Sequence, residues 1–245
     1  MSNTHTPEPP EILVVLAHPD DETFPLGGTL ARYAAAGASV RLICATRGEA
    51  GIPGLSPDAA GQVREAELRR AATILGLREV RFMGYRDGTL SQAEPEAAIG
   101  RLVAVLEELH PRAVITFGPD GISGHPDHVT VGEWATAAFD RAGAAGWGAR
   151  LFYIAPSEAT QQGCGVPPEP HAVGGPVVFI DVGSYLTTKV RAAQCHVSQD
   201  PPFKGDPAQE AARLACHEVL RLARPIVAAK GDRVLGDLLE DEVSG

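Results

Sequence analysis

The run Ile12-Leu13-Val14-Val15-Leu16-Ala17 constrains this chain more than any other feature, because it is apolar throughout, with no alternation. A strand without a wet side must be covered on both faces, the situation of a parallel sheet held between helices. The run stops at His18-Pro19-Asp20-Asp21-Glu22. One imidazole and three carboxylates therefore stand at the carboxyl end of a buried strand, where open α/β sheets bind their ligands.

Strand and helix patterns alternate from there on. Residues 29–36 read as a helix closed by Gly37, and 39–46 as a second strand. Residues 58–75 form a helix with Val63, Leu68, Ala71, Ala72 and Leu75 at helical spacing, which leaves Arg64, Glu65, Glu67, Arg69 and Arg70 mostly on the wet side. Further strands are expected at 79–83, 113–117, 151–154 and 177–181, and further helices at 94–110, 129–142, 185–199 and 207–222. This pattern predicts a three-layer α/β/α, Rossmann-like fold with a mainly parallel sheet. In the strand order 3-2-1-4-5, the exits of strands 1 and 4 flank the point where the winding reverses. One domain is expected over 11–235, after a flexible segment 1–10 and before an acidic tail, 236–245. The Pro/Gly-rich loop 161–176 has the length of a lid.

Composition limits the partners. With 21 Lys and Arg against 31 Asp and Glu, the formal charge is −10 and no basic run is present, which excludes a broad nucleic-acid surface. The first residues lack a basic n-region, and the apolar run behind them is too short for a signal or a membrane span, so cytoplasmic location is expected. Cys44, Cys164, Cys195 and Cys216 show no CxxC spacing, which favours reduced thiols, with Cys44 in the core. A small-molecule substrate is expected, with neither nucleic acid nor membrane as partner, and nothing in the pattern opposes a homo-oligomer.

A second cluster, His125-Pro126-Asp127-His128, follows the fourth strand. Two imidazoles and one carboxylate, with a fourth position left to water, are the ligand set of a catalytic zinc site. His18, Asp21 and His128 fit it. Zinc is the first expectation, and Fe2+, Co2+ or Mn2+ accept similar donors. Asp20, beside a ligand but not needed as one, is the expected general base. His125 would stabilise a developing oxyanion and protonate the leaving amine, with Asp127 as its orienter. Read on residue type alone, Arg64 is a solvated helix residue, His196 a helix-end charge, and Glu22 and Glu49 ligand orienters or plain surface. A two-metal phosphoesterase would want more ligands and a bridging carboxylate. A sugar-binding protein without turnover would have no use for Asp20.

AHPDDE after the first strand and GHPDH after the fourth resemble the LmbE or PIG-L family of zinc-dependent N-acetylglucosaminyl deacetylases. Supporting segments are Thr46-Arg47-Gly48-Glu49-Ala50-Gly51, Arg64-Glu65-Ala66-Glu67, Gly84-Tyr85-Arg86-Asp87-Gly88 and His196-Val197-Ser198-Gln199. The resemblance implies the same ligands, the same base and the same role for His125. It also implies that Arg64 and Asp87 hold sugar hydroxyls or substituents, and Glu49 and His196 join them as substrate-side candidates. The implied substrate is an acetamido sugar. The mycothiol branch has a tyrosine where this chain has Ser123, and this chain is shorter, which shifts the expectation to bacillithiol-type or other N-acetylglucosaminides.

Overall fold

A computed structural model describes residues 9–155, 176–225, 234–235 and 237–239. The strands are β1 (Glu11–Leu16), β2 (Ser39–Cys44), β3 (Glu79–Phe82), β4 (Ala113–Phe117), β5 (Arg150–Ala155), β6 (Val177–Asp181), β7 (His217–Arg224) and β8 (Val234–Leu235). The helices are α1 (Gly27–Ala35), α2 (Pro57–Leu75), α3 (Pro95–Leu109), the single turn α4 (Gly121–Gly124), α5 (Pro126–Ala142), α6 (Leu186–Ala193) and α7 (Pro207–Ala211). Among the described residues the strands form one sheet in the order β3-β2-β1-β4-β5-β7-β6-β8. The first five are parallel in the expected order. Helices α3 and α5 pack together, and α1, α2 and α6 pack together, giving a helical layer on each face. Ile12 to Ala17 are all buried, as an unbroken apolar strand requires.

Local chemistry explains the ends of the elements. Ser56 Oγ accepts from the Ala59 N–H at 3.3 Å, Pro57 opens α2, and Gly76 closes it at φ 79°. No side chain of its own neighbourhood caps α1. Glu218 on β7 does so instead, accepting from the N–H groups of Gly28 at 3.0 Å and Thr29 at 2.7 Å. Lys189 reaches the same carboxylate at 2.6 Å, so this buried charge is paired as well as hydrogen-bonded.

The second half departs from expectation in two places. The helix expected over 207–222 ends at Ala211, and His217–Arg224 is a strand antiparallel to both β5 and β6. Glu218, Leu220 and Leu222 are buried, whereas Val219 and Arg221 are not fully so, a period-two pattern that pairing on both edges selects over helix. The helix expected over 185–199 stops at Ala193 and resumes only as the 3-10 turn Val197–Gln199. Its backbone is diverted there, because the Ser198 N–H donates to Glu67 Oε1 at 2.8 Å and Ser198 Oγ to Oε2 at 2.6 Å. In the acidic tail, Leu238 is buried and its N–H donates to Tyr33 Oη at 3.1 Å, which ties this part of the tail to α1. The expected lid lies outside the described residues except for Pro176. Cys44 is buried. No helix of the described residues is long and apolar enough to cross a membrane.

Candidate active site

Both histidine clusters meet where the exits of β1 and β4 lie side by side. After β1 the chain turns sharply, with Asp20 at φ 98°, a region that non-glycine residues rarely occupy. After β4, Ile122 is also held at positive φ, and His125 caps α5 through Nδ1, which accepts the Asp127 N–H at 3.2 Å. Gly132 lets α5 lie against the end of β4, since a Cβ there would stand 2.5 Å from the Phe117 carbonyl oxygen. Phe117 in turn stacks on the His128 ring, with centroids 4.1 Å apart and planes 8° from parallel.

The donor atoms of His18, Asp21 and His128 converge. His18 Nδ1 lies 3.3 Å from His128 Nε2, and Asp21 oxygens lie 3.6 Å from the former and 3.3 Å from the latter. Their partners fix the tautomers. His18 Nε2 faces Asp87 at 3.1 Å and Asp127 at 3.2 Å, so a proton stays there and Nδ1 is the nitrogen that would give up its proton to a cation. His128 Nδ1 faces the Gly121 carbonyl at 3.1 Å, so Nε2 carries its lone pair. Two imidazole nitrogens and a carboxylate edge to edge form a donor set that a cation would complete. Tetrahedral ligands about 2.0–2.1 Å from zinc stand about 3.3 Å apart, so this donor set fits such an ion. One nitrogen of His125 lies within 4.8 Å of a nitrogen each of His18 and His128, and its ring is on the solvent side.

The electrostatics follow from the same contacts. Burial alone would lower His18, but its bonds to Asp127 and Asp87 and the charge of Asp21 lift it to about 10. Burial would raise Asp21, yet the His128 and His18 charges hold it well below the usual carboxylate range. Asp20 is pushed up to about 7 by burial first and the Asp21 charge next, against Arg64. His125 is lowered by burial and by the charges of His18 and His128.

The remaining expected residues stand behind or beside this cluster. The carboxylate of Asp127 does not orient the His125 ring. It accepts from His18, from the Gly88 N–H at 2.7 Å and from the Leu90 N–H at 3.1 Å, and only its backbone meets His125. Glu49 and Asp87 clasp two loops together, with the Asp87 N–H donating to Glu49 at 3.3 Å and the Ala50 N–H to Asp87 at 3.0 Å. Arg64 is not on a wet face. Its guanidinium is buried and donates to the Pro19 carbonyl at 2.5 Å, Asp20 Oδ2 at 3.2 Å and the Gly48 carbonyl at 3.3 Å. His196 has no exposed surface and bonds Glu22 Oε1 at 2.7 Å, which places it in the support of the site and away from its open wall. Sequence reasoning put Glu67 mostly on the wet side, but it is buried on α2 and holds the 196–199 segment. The one available signal was that Glu67 falls on the same helical face as Leu68, Ala71 and Leu75 once the stripe is drawn wide.

Comparison with known proteins assigns the chain to a family. Residues 13–139 match the PIG-L family model, described as GlcNAc-PI de-N-acetylase. A "1D-myo-inositol 2-acetamido-2-deoxy-alpha-D-glucopyranoside deacetylase" of Actinosynnema mirum is 38% identical, over 78% of this chain and 81% of that protein. The protein of the same description from Mycolicibacterium smegmatis is 37% identical over the same shares. These relatives are named for an inositol-linked substrate and not for the bacillithiol-type one expected from Ser123. Among solved structures, the N,N'-diacetylchitobiose deacetylase of Pyrococcus horikoshii superposes with a TM-score of 0.66 at 21% identity, covering 86% of this chain and 83% of its own. The 4-carboxy-2-hydroxymuconate hydratase GalB of Pseudomonas putida superposes with 0.63 at 21% identity, covering 90% and 98%, so this fold alone does not choose the chemistry. The match over more than half of the chain, with relatives above one-third identity over most of it, makes this chain a member of the PIG-L family.

Proposed function

We propose that this chain hydrolyses the N-acetyl group of an N-acetylglucosamine-containing glycoside, with one divalent ion, zinc first, held by His18, Asp21 and His128. The observation that carries the reading is the convergence of two imidazole nitrogens and one carboxylate within 3.3–3.6 Å, beside a second carboxylate that is turned away from them. When bound there, a zinc ion supplies Lewis acidity that polarises an amide carbonyl and brings the pKa of water to about 7. Asp20 turns Oδ2 to Arg64, which leaves Oδ1 to take the proton of the attacking water. His125 accepts the Asp127 N–H at Nδ1, so the proton of its neutral ring sits on Nε2, from which it donates a hydrogen bond to the developing oxyanion, while the proton that Asp20 takes from the water passes on to the leaving amine. Asp87 and Asp127 hold His18 in the tautomer that presents Nδ1.

The relatives' names favour an inositol aglycone, and Arg64, Glu49 and Asp87 brace the loops beside the site. Metal-loaded protein should release free amine from N-acetylglucosaminyl-inositol faster than from a bacillithiol-type precursor or from free N-acetylglucosamine. Metal analysis should give one ion per chain. No amine from any acetamido glycoside would sink the reading, and two ions per chain would move it towards a phosphoesterase.

A further inference from the structure

We propose that Glu22 and His196 are positioning residues for Asp20, acting through a strap anchored on α2. The proposal rests on Asp20 being the proton acceptor of the reaction proposed above. A non-glycine residue persists at φ 98° only where its surroundings over-determine it, and Asp20 is held from every side. Its carbonyl accepts from the Thr23 N–H and Thr23 Oγ1, each at 2.9 Å, which is local to the turn. Arg64 holds the Pro19 carbonyl and the Asp20 side chain. The Asp20 N–H donates to Glu22 Oε2 at 2.9 Å.

That last bond is only as firm as the Glu22 carboxylate. Glu22 and His196 are both completely buried, and His196 Nε2 meets the other oxygen of Glu22 at 2.7 Å. A buried carboxylate is tolerable only when its oxygens are satisfied, and here the partners are the peptide of Asp20 and an imidazole from far along the chain. His196 is fixed in turn. Two residues on, Ser198 makes two bonds to Glu67, and Gln199 Nε2 donates to the Gly51 carbonyl at 3.1 Å. Glu67 lies one helical turn beyond Arg64, so α2 grips Asp20 twice, directly through Arg64 and indirectly through Glu67, Ser198, His196 and Glu22. Nothing in this chain of contacts touches the donor atoms of His18 or His128, so its loss should disturb the base without releasing the ion.

The test uses metal-loaded wild type, Glu22→Ala, Glu22→Gln and His196→Ala, with kcat, KM, metal content and the NMR exchange rate of the Asp20 amide measured for each. Glu22→Ala and His196→Ala should lower kcat by about 10- to 100-fold, the usual effect of removing a supporting group, with KM within about twofold and metal retained. Asp20 amide exchange should speed up in both. In Glu22→Gln a carbonyl still accepts the Asp20 N–H, so kcat and slow exchange should largely return. Unchanged kcat, metal lost in step with kcat, or unchanged Asp20 exchange in Glu22→Ala would each overturn the proposal. Should Glu22→Ala fail to fold, Ser198→Ala carries the same test with a smaller fall in kcat. If wild type turns over no acetamido sugar but the exchange pattern holds, the deacetylase reading fails and the strap stands.

Discussion

Asp21 meets His18 at 3.6 Å and His128 at 3.3 Å, whereas its neighbour Asp20 turns to Arg64 at 3.2 Å. Two chemically alike carboxylates are thus parted by one peptide at positive φ, and their substitutions should part in the same way. Asp21→Ala should lose metal and activity together, because one of three proposed ligands is gone. Asp20→Ala should keep its metal while turnover falls by about 10²- to 10⁴-fold, the usual worth of a positioned general base. Metal content beside deacetylation rate decides the matter, and equal metal loss in both variants would mean that both carboxylates bind the ion. The two histidine motifs were legible in the sequence because imidazoles and carboxylates crowd the ends of apolar strands there. Arg64, Glu67 and His196 were not legible as supports. Their partners Pro19, Ser198 and Glu22 lie 45, 131 and 174 positions away, and a charged residue on a helix gives no sign of whether tertiary packing covers it.

At the scale of elements, the start of α5 carries both structure and chemistry. His125→Ala and His125→Asn should lose activity alike, but Asn is a good N-cap and Ala is not. The alanine variant should therefore be the less stable by about 1 kcal/mol, which urea unfolding can resolve. Gly132→Ala sets two effects against each other. Alanine gains about 1 kcal/mol in helix propensity, but a Cβ 2.5 Å from a backbone oxygen forces α5 off β4 at a cost of about 1–3 kcal/mol. The clash should win, with lower stability and weaker metal binding as His128 moves; a stabilised protein of unchanged metal affinity would contradict the close approach. The same scale shows where periodicity misled. His217–Arg224 alternates correctly for a strand, but it follows a good N-cap and Pro at Asp206 and Pro207, and its pairing partners are distant in the sequence. An element whose reason to exist is two long-range edges cannot be read from its own residues.

For the whole molecule, the five parallel strands were legible because each is a short strand-forming run between helical patterns, whereas their order was assumed from the common doubly wound arrangement, which the sheet follows. An ion held as proposed would join the exits of β1 and β4, so it should stabilise the native state by mass action. At about a thousand times its Kd that is about 4 kcal/mol, and chelation should then lower Tm by roughly 10 °C in calorimetry. An unchanged Tm on chelation would mean that the fold does not depend on the ion. The antiparallel end of the sheet has a consequence for synthesis. β7 lies between β5 and β6 yet leaves the ribosome after both. Until it arrives, the outer edge of β5, with Leu151, Phe152, Tyr153 and Ile154, has no strand to close it, and an open edge of that kind is a template for aggregation. A chain stopped before His217 should therefore be found in the pellet even though it already contains both histidine motifs, and the nascent protein should call on a holdase chaperone until β7 is made.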